Sequence, residues 1–239
     1  MPKLLDFRCA VITGGGGGIG KAMARHLVSK GKTVLLAGRT ESNLQSAARD
    51  VGAAGYYLLD VGKTADISPF VRRITREHPE LDCLVNNAGV QRPLDVLQDG
   101  DFTAKADQEI DINVRGPMHL TLGLLPHLQT KPGAVIINAW LHFWSMNLRT
   151  QLRRAGSGVR VVEIAPPMVA TDLHREREDP DDNKKQKNAQ ALGVDEFMGE
   201  VARKLERGDE MISAGGGSDI VEKWYGMYGA LYDEAASKK

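Results

Sequence analysis

Short apolar, β-branched runs recur along this chain, and longer amphipathic stretches separate them. The runs cover residues 9–13, 33–37, 55–59, 81–85, 134–138, 159–164 and 211–213. Between them the apolar positions fall at helical spacing, for example over 19–29, 42–51 and 103–128. Strands alternating with helices predict βαβ units whose right-handed crossovers build a parallel sheet covered on both faces. The expected fold is therefore α/β, with one doubly wound parallel sheet of the Rossmann kind spanning residues 1–239.

One stretch departs from that rhythm. Residues 174–187 read HREREDPDDNKKQK, with five Lys or Arg, five Asp or Glu, a proline and no aliphatic side chain. Such a segment has nothing to contribute to an apolar core. It is expected to form a mobile loop or a lid, set at 174–190.

Composition adds little and excludes some classes. At 239 residues, 42% hydrophobic and 26% charged, the chain has enough apolar material for a sizeable core. Lys plus Arg and Asp plus Glu both number 31, so no global charge favours nucleic acid or an anionic membrane. Neither a signal peptide nor a membrane span is expected, because Asp6 and Arg8 interrupt the first apolar run. The final Ser-Lys-Lys is not a peroxisomal address, and a cytoplasmic location is the default expectation. Cys9 and Cys83 both fall in strand-like runs and are expected to be buried thiols. No metal site is expected.

The chemistry-bearing signal lies near the N-terminus. Residues 11–20 read VITGGGGGIG. A strand ends at Thr13, five glycines follow, and a helix begins near Ile19. Glycines let the backbone turn sharply and approach a pyrophosphate, while the helix start offers unpaired N–H groups and a positive dipole end. At this position the run predicts nucleotide binding. The second strand ends Leu36-Ala37-Gly38-Arg39-Thr40, without the carboxylate that bonds the ribose hydroxyls of NAD. Arg39 instead offers a guanidinium suited to a 2′-phosphate, which points to NADP.

The spacing Thr13-Gly14-x-x-x-Gly18-Ile19-Gly20 resembles the glycine motif of the short-chain dehydrogenases. Further pieces agree: Asp60-Val61 after the third strand, Asn86-Asn87-Ala88-Gly89 after the fourth, and Asn113 within DINVRGP. The stretch Pro166-Pro167-Met168-Val169-Ala170-Thr171 sits where that family places a Pro-Gly loop, with Pro167 in the glycine position. The resemblance implies hydride transfer between NADP and a carbonyl or alcohol. It implies that Gly14, Gly18, Ile19, Gly20, Arg39, Asp60, Val61, Asn87, Ala88, Gly89, Val169 and Thr171 hold the cofactor. It implies a homo-oligomer built through the helix ending at Leu128 and the helix after the fifth strand.

The same resemblance exposes a gap. The family's chemistry belongs to a Ser, a Tyr and a Lys in a Tyr-x-x-x-Lys pair. Here no Tyr lies between Tyr57 and Tyr225, and no Tyr-x-x-x-Lys occurs anywhere. The fifth strand runs directly into Trp140-Leu141-His142-Phe143-Trp144-Ser145, as after an in-frame loss of the catalytic segment. Residues 140–158 still suffice for a parallel crossover. Of the family's catalytic set only Asn113 is left, without its usual lysine partner and so with a structural role. His142 and Ser145 are the nearest substitutes. Arg149, Arg153 and Arg154 are expected to form a solvated helix face, and Trp224–Tyr228 to pack a terminal helix. Two classes of function stay open: an impaired NADP-dependent oxidoreductase, or a non-catalytic dinucleotide-binding protein, as a pseudoenzyme or a mis-spliced product.

Overall fold

A computed structural model of the protein describes residues 4–237. Lys238 and Lys239, part of the terminal tripeptide weighed as an address, lie outside the described residues. The strands are β1 (Cys9–Thr13), β2 (Thr33–Gly38), β3 (Gly55–Leu58), β4 (Leu81–Asn86), β5 (Val135–Ala139), β6 (Arg160–Ile164) and β7 (Met211–Ile212). They form one sheet in the order β3-β2-β1-β4-β5-β6-β7, with every pairing parallel. Strand order reverses between β1 and β4, and at such a switch point loops diverge above the carboxyl ends and leave a crevice.

Alternate residues of each strand serve opposite faces. Ala10, Ile12, Leu36, Cys83, Val85 and Ile137 join a core beneath α1 (Gly18–Ser29), α2 (Glu41–Val51) and α7 (Val194–Arg207). Cys9, Val11, Leu35, Leu84 and Ile136 join a second core beneath α3 (Thr64–Glu77), α5 (Gly116–Leu128) and α6 (His142–Arg154). Burial on both faces is why the strands read as continuous apolar runs. Both cysteines are buried and free. Burial, helped by nearby Glu80 and Asp82, pushes the Cys9 thiol up to about 12, and burial raises Cys83 as well. No helix among the described residues is long and apolar enough to cross a membrane.

The stretch expected as one helix over 103–128 is divided. It comprises α4 (Phe102–Ile110), a wide π turn (Asp111–Arg115) and α5. The cause is Pro117 in the first turn of α5, which has no N–H to return to the carbonyl of Asn113. The Gly116 N–H bonds the Asp111 carbonyl instead, five residues back. Gly116 also passes close to β3's exit, where a Cβ would sit 2.9 Å from Val61 Cβ.

Two further expectations need correction. Arg149 does not belong to a solvated face: only 5% of its side chain is exposed. Its Nε donates to the Val161 carbonyl at 3.0 Å and its Nη2 to the Glu210 carbonyl at 3.0 Å, whereas Arg153 and Arg154 are exposed. The charged segment is also less free than its composition suggests. His174 is buried between Asp182 and Gln91. Asn183 is buried and donates to the Val169 and Thr171 carbonyls at 3.1 and 3.0 Å. Polar residues enter an interior when such specific partners satisfy them. At the chain's end, α8 (Gly216–Trp224), a π turn (Tyr225–Gly229) and α9 (Ala230–Ser237) leave Ile220, Met227 and Leu231 exposed.

Candidate functional site

The crevice at the switch point is a cleft of about 620 Å³. Its floor is the glycine loop between β1 and α1. Gly14 has a φ of +67°, and a Cβ there would lie 2.9 Å from Asn87 Nδ2, so a side chain is excluded twice over. A Cβ on Gly20 would collide with the Gly14 carbonyl oxygen and sit 2.5 Å from Asn87 Nδ2. The loop is stitched to the end of β4: Thr13 Oγ1 donates to the Val85 carbonyl and accepts from the Asn87 and Ala88 N–H groups, at 3.0 and 3.1 Å. Asn87 Nδ2 donates to the Thr13 carbonyl at 3.0 Å.

Helix α1 then starts with Gly17 at its N-cap, without a side-chain cap and with no acidic residue in its first turn. Its first N–H groups and positive dipole end are left for an anion.

On one side of this floor stand Arg39, Thr40, Asn43, Asp60 and Val61. Arg39 is exposed and makes no hydrogen bond or ion pair within the described residues. Asp60 Oδ1 accepts the Gly62 N–H at 3.0 Å, which fixes the turn after β3. On the other side stand Ala88, Gly89, Ala139, Trp140 and Pro166. The segment that follows β6 contributes Thr171, Asp172, Leu173, Arg175 and Glu176. Thr171 Oγ1 caps the short 3-10 turn Asp172–His174 by accepting the Leu173 N–H at 3.3 Å.

Of the residues expected at a cofactor, Gly14, Gly18, Ile19, Arg39, Asp60, Val61, Asn87, Ala88, Gly89 and Thr171 line the cleft together. Gly20 lies beneath the loop as a packing position. Val169 is buried behind the cleft, where its carbonyl accepts from Asn183. Asn113 sits in the π turn with both side-chain atoms spent on Val90: Oδ1 accepts its N–H at 2.9 Å and Nδ2 donates to its carbonyl at 2.8 Å.

The substitutes considered for the missing groups are elsewhere. Ser145 is wholly buried, and its Oγ accepts from Asn138 Nδ2 at 3.0 Å. Asn138 in turn accepts from Asn86 Nδ2, which also donates to Thr121, so the hydroxyl ends a buried polar chain. His142 Nδ1 lies 3.0 and 2.9 Å from the two carboxylate oxygens of buried Glu163, and its ring packs edge-on to Trp224. Neither side chain lines the cleft.

Sequence reasoning missed Asn43, Trp140, Arg175 and Glu176. Asn43 had a signal in its place in the first turn after the second strand. Arg175 and Glu176 had only their charge.

The junction between β5 and α6 is the most strained backbone among the described residues. Trp140 (φ +75°) and Leu141 (φ +63°) are its only non-glycine residues at positive φ. Two left-handed residues in a row cost roughly 1–2 kcal/mol each. They are needed because the chain must leave the sheet and enter a helix within two residues. Trp140 N–H bonds the Ile164 carbonyl at 3.2 Å and the Leu141 carbonyl accepts from Ser145 at 2.8 Å, which holds the turn. Phe143, just inside α6, is 75% exposed, whereas Trp144 is partly buried against the core.

Comparison with known proteins places this geometry. Residues 8–140 match the family model described as short chain dehydrogenase, and the match stops at Trp140. An uncharacterized oxidoreductase, DltE, of Bacillus subtilis is 32% identical over 189 residues, covering 71% of this chain and 74% of that protein. The NADP-dependent 3-hydroxy acid dehydrogenase YdfG of Escherichia coli O6:H1 is 28% identical, over 75% of this chain and 80% of its own length. Among solved structures, a short-chain dehydrogenase from Sphingobium yanoikuyae in complex with NADPH superposes with a TM-score of 0.78. It is 19% identical, and the superposition covers 98% of this chain and 96% of that one.

Proposed function

This chain belongs to the short-chain dehydrogenase family, and from that premise we propose that it binds NADP(H) in the switch-point cleft without the proton-transfer groups needed for efficient turnover. The observation that carries the binding half is the glycine cradle opening onto the uncapped start of α1, in line with an unpartnered Arg39. A pyrophosphate fits the cradle, because its oxygens accept from N–H groups that lack other acceptors. A 2′-phosphate fits Arg39, and Asp60 and Val61 flank the adenine on the same side.

Bound NADPH supplies a hydride to a carbonyl carbon. The carbonyl oxygen then needs a proton, and the cleft offers no good donor. No Tyr, His, Lys or Cys lines it. Its three carboxyl groups are engaged: Asp60 with the Gly62 N–H, Asp172 with Lys184 at 2.9 Å and Glu176 with Arg92. Asn113 acts in positioning the loop at Val90. General acid catalysis is worth about 10²–10⁴-fold, so its loss separates binding from turnover.

Calorimetric titration tests the binding half. NADP⁺ is expected to bind about tenfold to a hundredfold more tightly than NAD⁺, the value of a charge-assisted bidentate contact. Arg39→Asp is expected to reverse the order. Equal affinities in the wild type would overturn the assignment of Arg39.

A further inference from the structure

The last helical run of the chain lies along the shortened crossover. Tyr232 Oη donates to the Met146 carbonyl at 3.0 Å and accepts from Thr150 Oγ1 at 3.0 Å. Arg154 Nη2 donates to the Ala235 carbonyl at 2.9 Å. One side of α6 is thereby covered by α9 of the same chain. What α6 still shows to solvent is polar, through Asn147, Gln151, Arg153 and Arg154, apart from Phe143 in its first turn.

Apolar surface reappears on the outside of the covering helix. Met227, Tyr228 and Leu231 fall seven, eight and eleven positions after Ile220, which places the four along one helical face. Ile220, Met227, Tyr228 and Leu231 are 71, 67, 47 and 64% exposed. Phe143, 75% exposed, continues the patch onto α6. A file of rings joins the two, from Phe143 to His142 at 5.1 Å, on to Trp224 at 4.9 Å and to Tyr228 at 6.0 Å. These fractions correspond to about 600 Å² of exposed apolar surface.

The largest apolar patch on a protein that stays single ends at about that size, roughly 300–600 Å². The core of a homodimer interface is about 65% apolar, so the patch fits an interface of about 900 Å² per copy, where a stable pair needs roughly 800 Å². An apolar stripe is its own complement about a two-fold axis, so a second copy meets it without further adaptation. Lys plus Arg and Asp plus Glu both number 31, so no net charge holds two copies apart. None of the five side chains lines the cleft, so pairing leaves the cleft open to a nucleotide.

We propose that the outer stripe of α8 and α9, extended by Phe143, is the surface through which two copies of this chain pair, in place of the α5–α6 face that the resemblance implies.

Sedimentation equilibrium of the full chain from about 1 to 100 µM tests this. A dimer is expected at the top of that range. Leu231→Glu and Ile220→Glu each put a carboxylate into the paired surface and are expected to raise the dissociation constant about tenfold or more. Both sites face solvent in a single copy, so the circular dichroism spectrum is expected to stay unchanged. Leu122→Glu, on the exposed side of α5, is expected to leave the dissociation constant within about twofold. A monomer throughout the range would overturn the proposal. So would a dimer that Leu122→Glu dissociates and both stripe variants keep, which would return the interface to α5 and α6. Flotation of the chain with phosphatidylcholine vesicles, lost in Leu231→Glu, would assign the stripe to a lipid surface instead and overturn the pairing.

Discussion

Arg149 offers the sharpest test of how the shortened crossover stays docked to the sheet. Strand β7 has only two residues, paired with Glu163 and Ile164. The Glu163 N–H bonds the Glu210 carbonyl, so the odd positions of β6 face β7, and the Val161 carbonyl points the same way beyond the start of that strand. Arg149 reaches across from α6 and fills the gap, with Nε on the Val161 carbonyl, Nη2 on the Glu210 carbonyl and an ion pair to the Glu210 carboxylate at 3.2 Å. Arg149→Ala removes two hydrogen bonds from a charged donor, each worth about 1.5–3 kcal/mol. Glu210 keeps Arg153 and Arg160 as partners, which holds the loss near the lower end, at about 3 kcal/mol. For a chain of this length that corresponds to a fall in Tm of roughly 6–12 °C. Arg149→Lys keeps the charge but cannot reach both carbonyls, and is expected to lose about half as much. Arg154→Ala, on the exposed face, is the control and should stay within about 0.5 kcal/mol. Urea unfolding of the three variants measures the series. An Arg149→Ala cost no larger than that of Arg154→Ala would refute the sheet-edge role.

Two further outcomes follow from the site. Gly20→Ala drives a Cβ into the Gly14 carbonyl and Asn87, so about 1–3 kcal/mol of stability and most nucleotide affinity should be lost. Gly17→Ala meets nothing within 4 Å and should leave the melting temperature unchanged. In the charged segment after β6, the hydrogen bond from His174, aided by Arg177, holds the Asp182 carboxyl below its ordinary 3.8. A depressed carboxylate stabilises that segment above the ordinary value and loses the effect as pH falls through the lower, folded one. The excess hydrogen exchange of Asp182→Asn over the wild type across 172–188 should therefore be full at neutral pH and shrink in acid. A difference independent of pH would contradict this.

The apolar runs revealed the sheet because strands buried on both faces leave no polar alternation to confuse the reading. The glycine loop was legible for a similar reason: its residues are needed by the backbone itself, whatever surrounds them. What stayed hidden depends on partners distant in sequence. Arg149 looks like its exposed neighbours Arg153 and Arg154 until β6 and Glu210 are in place. His174 and Asn183 are polar residues in a polar run, and only Gln91, Asp182 and two carbonyls make them interior. The π turn at 111–115 follows from one missing N–H at Pro117 within an otherwise helical pattern. The positive φ of Trp140 and Leu141 had no residue signal at all, since neither is a glycine or an asparagine.

The central claim, a nucleotide cleft without a proton donor, is tested most directly by NADPH oxidation under saturating ketone or quinone. The unmodified chain is expected to stay at the uncatalysed background while still binding NADPH in the same solution. Insertion between Asn138 and Leu141 of a family-like segment carrying Ser and Tyr-x-x-x-Lys is expected to raise the rate by at least the 10²-fold or so of general acid catalysis. Robust oxidation by the unmodified chain, abolished by His142→Ala, would contradict the account and make the His142–Glu163 pair catalytic.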